Sequence, residues 1–69
     1  MNFNEFCIKV SKAPRGQSRG MFAMQTLQQN YPALAIKIKN LELSGEDGLD
    51  PSIDNNRMPK FLAWCKKNW

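Results

Sequence analysis

The stretch YPALAIKIKNLEL, residues 31–43, decides the fold class of this 69-residue chain. If the stretch is helical, Leu34, Ile38 and Leu41 fall on one face and form an apolar stripe. Pro32 then suits the first turn of the helix, where its missing N–H costs nothing. The stretch is therefore compatible with a helix that packs by one face.

The same residues are also compatible with an extended chain, in which Leu34, Ile36 and Ile38 alternate along one strand. A turn at residues 39–40 would close such a strand into a hairpin. An isolated two-stranded hairpin is only marginally stable, and no other segment of the sequence is typical of a third strand. The pattern favours a helix over residues 33–43, with the hairpin as the alternative.

The first helix is predicted by its own start signal. Asn2 is a good N-cap residue, and Glu5 stands three positions later, where its carboxylate can complete a capping box. Apolar residues follow at helical spacing and form one stripe: Phe3, Phe6, Cys7 and Val10.

Turn-forming residues fill positions 13–20 and predict a loop, with Ser18 as the earliest cap of a second helix. That helix should run to about Asn30. Its apolar residues cover more than half of the helical wheel, so we expect it to be largely buried. Met21 and Met24 are accordingly expected to fill the core rather than to form a recognition surface.

Positions 44–56 have the composition of a long turn. Leu49 and Ile53 are expected to pin this segment to the core, while its carboxylates should be solvated: Glu46, Asp47, Asp50 and Asp54.

The last helix is predicted to begin after Asn55 or Asn56, with Pro59 in its first turn. The apolar residues of this helix should share one face, which carries Phe61, Leu62, Trp64, Cys65 and Trp69. We therefore predict a mainly α fold for residues 1–69, a single small domain built as a bundle of three to four helices.

Charge is unevenly distributed along the chain, although the formal net charge is +4. Residues 1–41 carry six basic side chains and one acidic side chain, whereas residues 42–54 carry five acidic and no basic ones. The molecule can therefore present fields of both signs to a partner.

Several classes of function are disfavoured by composition. The sequence contains no histidine, and its two cysteines, Cys7 and Cys65, stand far apart. Triads built on histidine are therefore excluded, and no cofactor motif, zinc pattern or calcium loop is recognisable. We predict a chain that is not an enzyme and holds no metal or cofactor, with both thiols free and buried.

No apolar stretch is long enough to span a membrane, and the first residues do not resemble a signal peptide. We therefore expect a cytoplasmic protein with no membrane partner. It is expected to be a monomer or a homodimer.

Candidate binding residues come from two places. Arg15 and Arg19 lie in a basic loop that runs into a helix N-terminus, which is a favourable site for an anion. The other candidates lie on the last helix, where the residues are Lys60, Trp64, Lys66, Lys67 and Trp69. Trp69 either folds back onto the core or offers an aromatic anchor to a partner.

The order of these motifs resembles the small YozE-like helical domains, which are similar to SAM domains. The similar parts are residues 3–6, a proline-containing loop, residues 18–22, and residues 23–31 with the following Pro32. The last similar part is the aromatic helix with Phe61, Ala63 and Trp64. The resemblance implies a helical bundle and brings no assigned activity.

Two hypotheses follow for function. The first is a non-enzymatic binding or regulatory module that acts on another protein, such as an accessory or inhibitor protein of a phage or mobile element. The alternative is a small basic protein that binds nucleic acid, in which the candidate cations converge on one face.

Overall fold

The computed structural model describes residues 1–45 and 48–69, and it is helical over most of these residues. No strand occurs in the part of the chain that is described. A short 3₁₀ helix, Asn55–Arg57, precedes the last α-helix. The α-helices of the described residues are α1 (Phe3–Val10), α2 (Arg19–Asn30), α3 (Pro32–Ser44) and α4 (Met58–Asn68). The prediction of a small, mainly α bundle is confirmed.

The capping box at the start of α1 is present. The backbone N–H of Glu5 donates to Asn2 Oδ1 at 2.8 Å, and the backbone N–H of Asn2 donates to Glu5 Oε1 at 3.3 Å. Both bonds satisfy N–H groups that a helix start would otherwise leave without a partner.

The hairpin alternative for residues 33–43 is wrong, because the whole segment lies inside α3. The helix buries Leu34 and Ile38 and makes its contacts with α2. A hairpin would have had no third strand to pair with, whereas the helix finds an apolar neighbour. On the opposite face of α3, the helical conformation leaves Leu43 86% exposed.

The core lies where α2 packs against both α1 and α3. Helix α4 packs against α1 and completes the core. Phe6 and Phe61 are fully buried side by side, with ring centroids 6.2 Å apart. Met24 belongs to this core as predicted, but Met21 is exposed. The described residues contain no helix that is both long and apolar enough to cross a bilayer.

The segment before α4 differs from its prediction in two ways. Leu49 is buried, but Ile53 is 59% exposed and does not pin the segment to the core. The cap is supplied by Asp54, whose Oδ1 accepts from the N–H of Asn56 at 2.9 Å, and the 3₁₀ helix then leads into α4. A capped 3₁₀ turn therefore stands where an asparagine cap on α4 itself was expected.

The prediction of a solvated acidic segment is wrong for Asp50, which is 0% exposed. Its Oδ2 accepts from Lys39 Nζ at 2.8 Å, and its Oδ1 accepts from the backbone N–H of Ser52 at 2.9 Å. Glu42 is also paired, with its Oε1 2.9 Å from Arg57 Nη1. Of the other predicted carboxylates, Glu46 and Asp47 lie outside the described residues.

Asp50 links the stability of the fold to pH. Burial by itself raises the pKa of Asp50, but the hydrogen bonds from Lys39 and Ser52 and the Lys39 charge outweigh burial, so the pKa lies below the ordinary 3.8. A carboxylate whose pKa is lowered by folding stabilises the fold above its unfolded pKa, and this contribution is lost as pH falls through the folded pKa.

We therefore expect the melting temperature of the native protein to fall more steeply below about pH 5 than that of Asp50→Asn, which cannot titrate. Thermal melts of both proteins between about pH 7 and pH 2 check this expectation. Parallel pH profiles would contradict the assignment.

Candidate functional site

A groove of about 380 Å³ runs between α1 and α4. Its walls are mostly apolar, and the residues that line it are Cys7, Val10, Ser11, Arg19, Met58, Pro59 and Leu62. A neighbouring depression of about 430 Å³ shares Arg19, Met58 and Pro59 with it, so the two form one continuous surface. We call this surface the α1/α4 groove.

Helical spacing explains why these side chains share the groove. Cys7 of α1 lies four residues before Ser11, the C-cap residue of that helix, and Met58 and Leu62 are four residues apart on α4, so each pair lies on one face. The two helices run antiparallel, since Phe3 at the start of α1 packs against the ring of residue 69 just after α4. The core below the groove holds Phe6, Val10, Phe61 and Cys65.

One cation lies at each end of the groove. Arg19 lines the end where α4 begins, beside Pro59. Lys66 lies two turns further along α4, about 10 Å from Pro59 along the helix axis. Leu62, which lines the groove, lies four residues before Lys66, so the two side chains share one face of α4. Burial raises the pKa of Cys7, and the charge of Lys66 offsets part of that effect.

Both thiols are free, as predicted, although Cys7 is only half-buried. Burial, with a smaller effect of the neighbouring Cys7, raises the pKa of Cys65 to about 12. Because burial also raises the pKa of Cys7, both groups are protonated near neutral pH and are poor nucleophiles. Over the described residues, no group of three histidine, cysteine, aspartate or glutamate side chains could hold a metal ion.

The N-terminus of α2 is not an open anion site. The backbone N–H of Gly20 donates to Asn55 Oδ1 at 2.9 Å, and the N–H of Met21 donates to Ser18 Oγ at 3.1 Å. Two of the N–H groups that an anion would use are therefore already satisfied within the domain. Of the groups in the basic loop that could bind an anion, the side chains of Arg15 and Arg19 are left.

The predicted binding residues do not meet at one place. Trp64 lies on the other side of α4, in a depression of about 390 Å³ that it shares with Lys37 and Leu41 of α3. Trp69 is folded back onto the core, which is one of the two predicted arrangements. Its ring centroid lies 5.1 Å from that of Phe6. Lys60 and Lys67 are exposed on α4, and Arg15 is exposed in the loop. Of the seven candidates, only Arg19 and Lys66 flank the α1/α4 groove.

Sequence reasoning missed the apolar lining of the groove. The sequence places Cys7, Val10 and Leu62 on core-facing stripes and Pro59 in a helix start, and it assigns no role to Met58. The available signal was the wide apolar face of α4, on which Leu62 stands next to Phe61 and is only partly buried.

No protein-family model matches the chain, and no curated protein or solved structure is significantly similar to it. The resemblance to YozE-like domains therefore stays a prediction. The function has to be argued from the surface that the helices form.

Proposed function

We propose that this chain is a non-enzymatic module that binds another protein through the α1/α4 groove. The observation that carries the proposal is an open apolar channel between two helices, with Arg19 in its lining and Lys66 further along the same face of α4. Surface channels of this kind, lined by apolar side chains and bordered by charge, are typical of sites that receive a segment of a partner. The module is proposed to work in the cytosol, where a reducing environment keeps both thiols free.

The absence of suitable reactive groups supports a binding role. The sequence has no histidine. Among the carboxylates that could act as acid or base, Asp50 is fixed in a buried ion pair and Glu42 is paired with Arg57. Because both thiols are also held in the protonated form, no activated nucleophile or general base is recognisable in the described part of the chain.

A nucleic-acid partner fits the surface less well. Duplex binding needs basic side chains that converge on one face and follow the phosphates. Here Lys67 lies about 100° around α4 from Lys66, and Lys37 lies beside Trp64 on the α3 side. The charges are distributed over several faces, as expected of a small basic protein that binds through shape.

Site-directed photocrosslinking tests the proposal. A photoreactive phenylalanine analogue at Ser11, which lines the groove, should crosslink to a protein in an extract of the organism that encodes the chain, and nuclease treatment should not remove the product. The same analogue at Gln29, an exposed position on α2 that borders none of the grooves described above, is the matched control. A third position, Asn40, monitors the depression beside Trp64.

We expect a discrete product from Ser11 that is at least several-fold stronger than the product from Gln29. Crosslinking only from Asn40 would assign binding to the α3 side and contradict the proposal. Nuclease-sensitive products, together with affinity for duplex DNA that falls steeply with salt, would favour the nucleic-acid alternative instead.

A further inference from the structure

We propose that the occupant of the α1/α4 groove is an acidic amphipathic helix of the partner protein. This inference rests on the proposed function and adds the chemistry and geometry of the segment that is bound. It is carried by the shape of the two walls, by Arg19 in the lining and Lys66 on the same face of α4 as Leu62, and by the lack of a carboxylate in the groove lining.

The walls favour a helix as the occupant. The groove lies between two antiparallel helices, and the ridges of a third helix can pack into such a channel at the usual distance of 8 to 10 Å between axes. Residues 1–45 and 48–69 contain no strand, so they offer no sheet edge to which an extended peptide could add. A partner helix would lay its apolar residues on Val10, Met58 and Leu62.

The ends of the groove favour acidic residues on that helix. No carboxylate of the described chain lines the groove, and neither Arg19 nor Lys66 forms an ion pair within the described residues. Charge complementarity must therefore come from the partner. Because Lys66 lies about 10 Å along α4 from the end occupied by Arg19, the fitting pattern is two acidic residues two helical turns apart.

An exposed apolar side chain extends the surface beyond the groove itself. Ile8 is 57% exposed and lies three residues before Ser11, on the same flank of α1. The exposed apolar residues of α3 are less favourable for docking, because Ile36 and Leu43 are separated on their face by Lys39 and Asn40. The α1/α4 side therefore combines an apolar groove with an exposed apolar side chain and two cations.

Binding of two synthetic helices to the full chain tests the inference. Both probe peptides are fluorescent and held helical by a staple, and both carry leucines at positions for the groove. One has glutamates two turns apart, and the other has lysines at the same positions. Fluorescence anisotropy at low salt should show roughly tenfold tighter binding of the glutamate peptide, since two rim charge pairs contribute about 1.4 kcal/mol together.

A charge swap gives the decisive comparison. The double variant Arg19→Glu/Lys66→Glu should reverse the preference and bind the lysine peptide more tightly. The control Lys9→Glu/Lys12→Glu alters the formal net charge equally, but both residues are exposed and neither lines the groove, so it should keep the preference for the glutamate peptide.

The outcomes separate this inference from the proposed function. Equal binding of both peptides, an equal effect of the two double variants, or no binding of either peptide would overturn the acidic helix. Crosslinking of a partner from Ser11 would still support the module in each of those cases. If sedimentation shows self-association that Leu62→Asp abolishes while the fold is kept, the occupant is a second copy of this chain, and the inference is wrong.

Discussion

Replacing Gly20 by alanine is expected to destabilise the domain by roughly 3 kcal/mol or more, which lowers the melting temperature by about 15 °C. A Cβ atom on Gly20 would stand 1.8 Å from the carbonyl oxygen of Pro51 and 2.7 Å from Asn55 Oδ1. The nearest obstacle is backbone, so the segment before α4 would have to move, and the hydrogen bond from Gly20 to Asn55 would be lost. The roughly 1 kcal/mol that alanine gains over glycine inside a helix is too small to offset this cost.

Gly16→Ala is the matched control for that substitution. Gly16 has φ +81° in the loop before α2, and nothing lies within 4 Å of a Cβ placed there. The Gly16→Ala substitution should therefore lower the free energy of unfolding by about 1 kcal/mol, through backbone strain alone. Thermal melts of both variants check the comparison, and a Gly20→Ala protein as stable as the native chain would show that α2 does not pack against residues 51–55 as described.

Trp69→Ala is expected to cost about 3 kcal/mol of unfolding free energy. The indole ring has its centroid 5.7 Å from that of Phe3, 5.1 Å from Phe6 and 5.3 Å from Tyr31. Its Nε1 also donates to the backbone carbonyl of Met1 at 3.3 Å. One side chain therefore joins α1, α4 and the junction of α2 with α3, and its removal takes one ring contact from each of Phe3, Phe6 and Tyr31.

Two further substitutions show which contacts of Trp69 account for the expected loss of stability. Trp69→Phe keeps most ring contacts and gives up one long hydrogen bond, so it should cost about 1 kcal/mol. Trp64→Ala should cost less than Trp69→Ala, because Trp64 lies beside an open depression. Denaturant unfolding of the three variants gives the ranking, and a loss at Trp64 equal to or greater than the loss at Trp69 would contradict the described aromatic cluster.

Local signals were the predictable part of the fold. The capping box of Asn2 and Glu5, the cap at Ser18 and the proline at the start of α3 each depend on residues within four positions of one another, so they can be recognised from sequence alone. The apolar stripes of α1 and α4 belong to the same class. These features were enough to predict a mainly α bundle.

Features that depend on tertiary packing were not predictable. Asp50 was expected in solvent because it lies among turn residues, but Lys39 reaches it from α3, eleven positions away. Ile53 was expected to be buried because it is apolar, yet the direction of its side chain is set by the turn that Asp50 begins. At residues 33–43 the sequence left a hairpin open beside the favoured helix, and the structure has the helix, packed against α2.

The candidate site was only partly predictable for the same reason. Arg19 and Lys66 could be named as charged candidates, but nothing in the sequence places them at the two ends of one groove. That placement depends on the antiparallel packing of α1 and α4, which is visible only when the ring contact of Phe3 and the shared groove lining of Cys7 and Leu62 are known.

The most direct test of the binding account is an amide chemical-shift map of the labelled chain with the partner captured by crosslinking. The account predicts that the largest changes lie at the groove positions of α1 and α4, around Cys7 to Ser11 and Met58 to Leu62, and at Arg19. Changes confined to α3 and the surroundings of Trp64, with the groove positions unaffected, would contradict it.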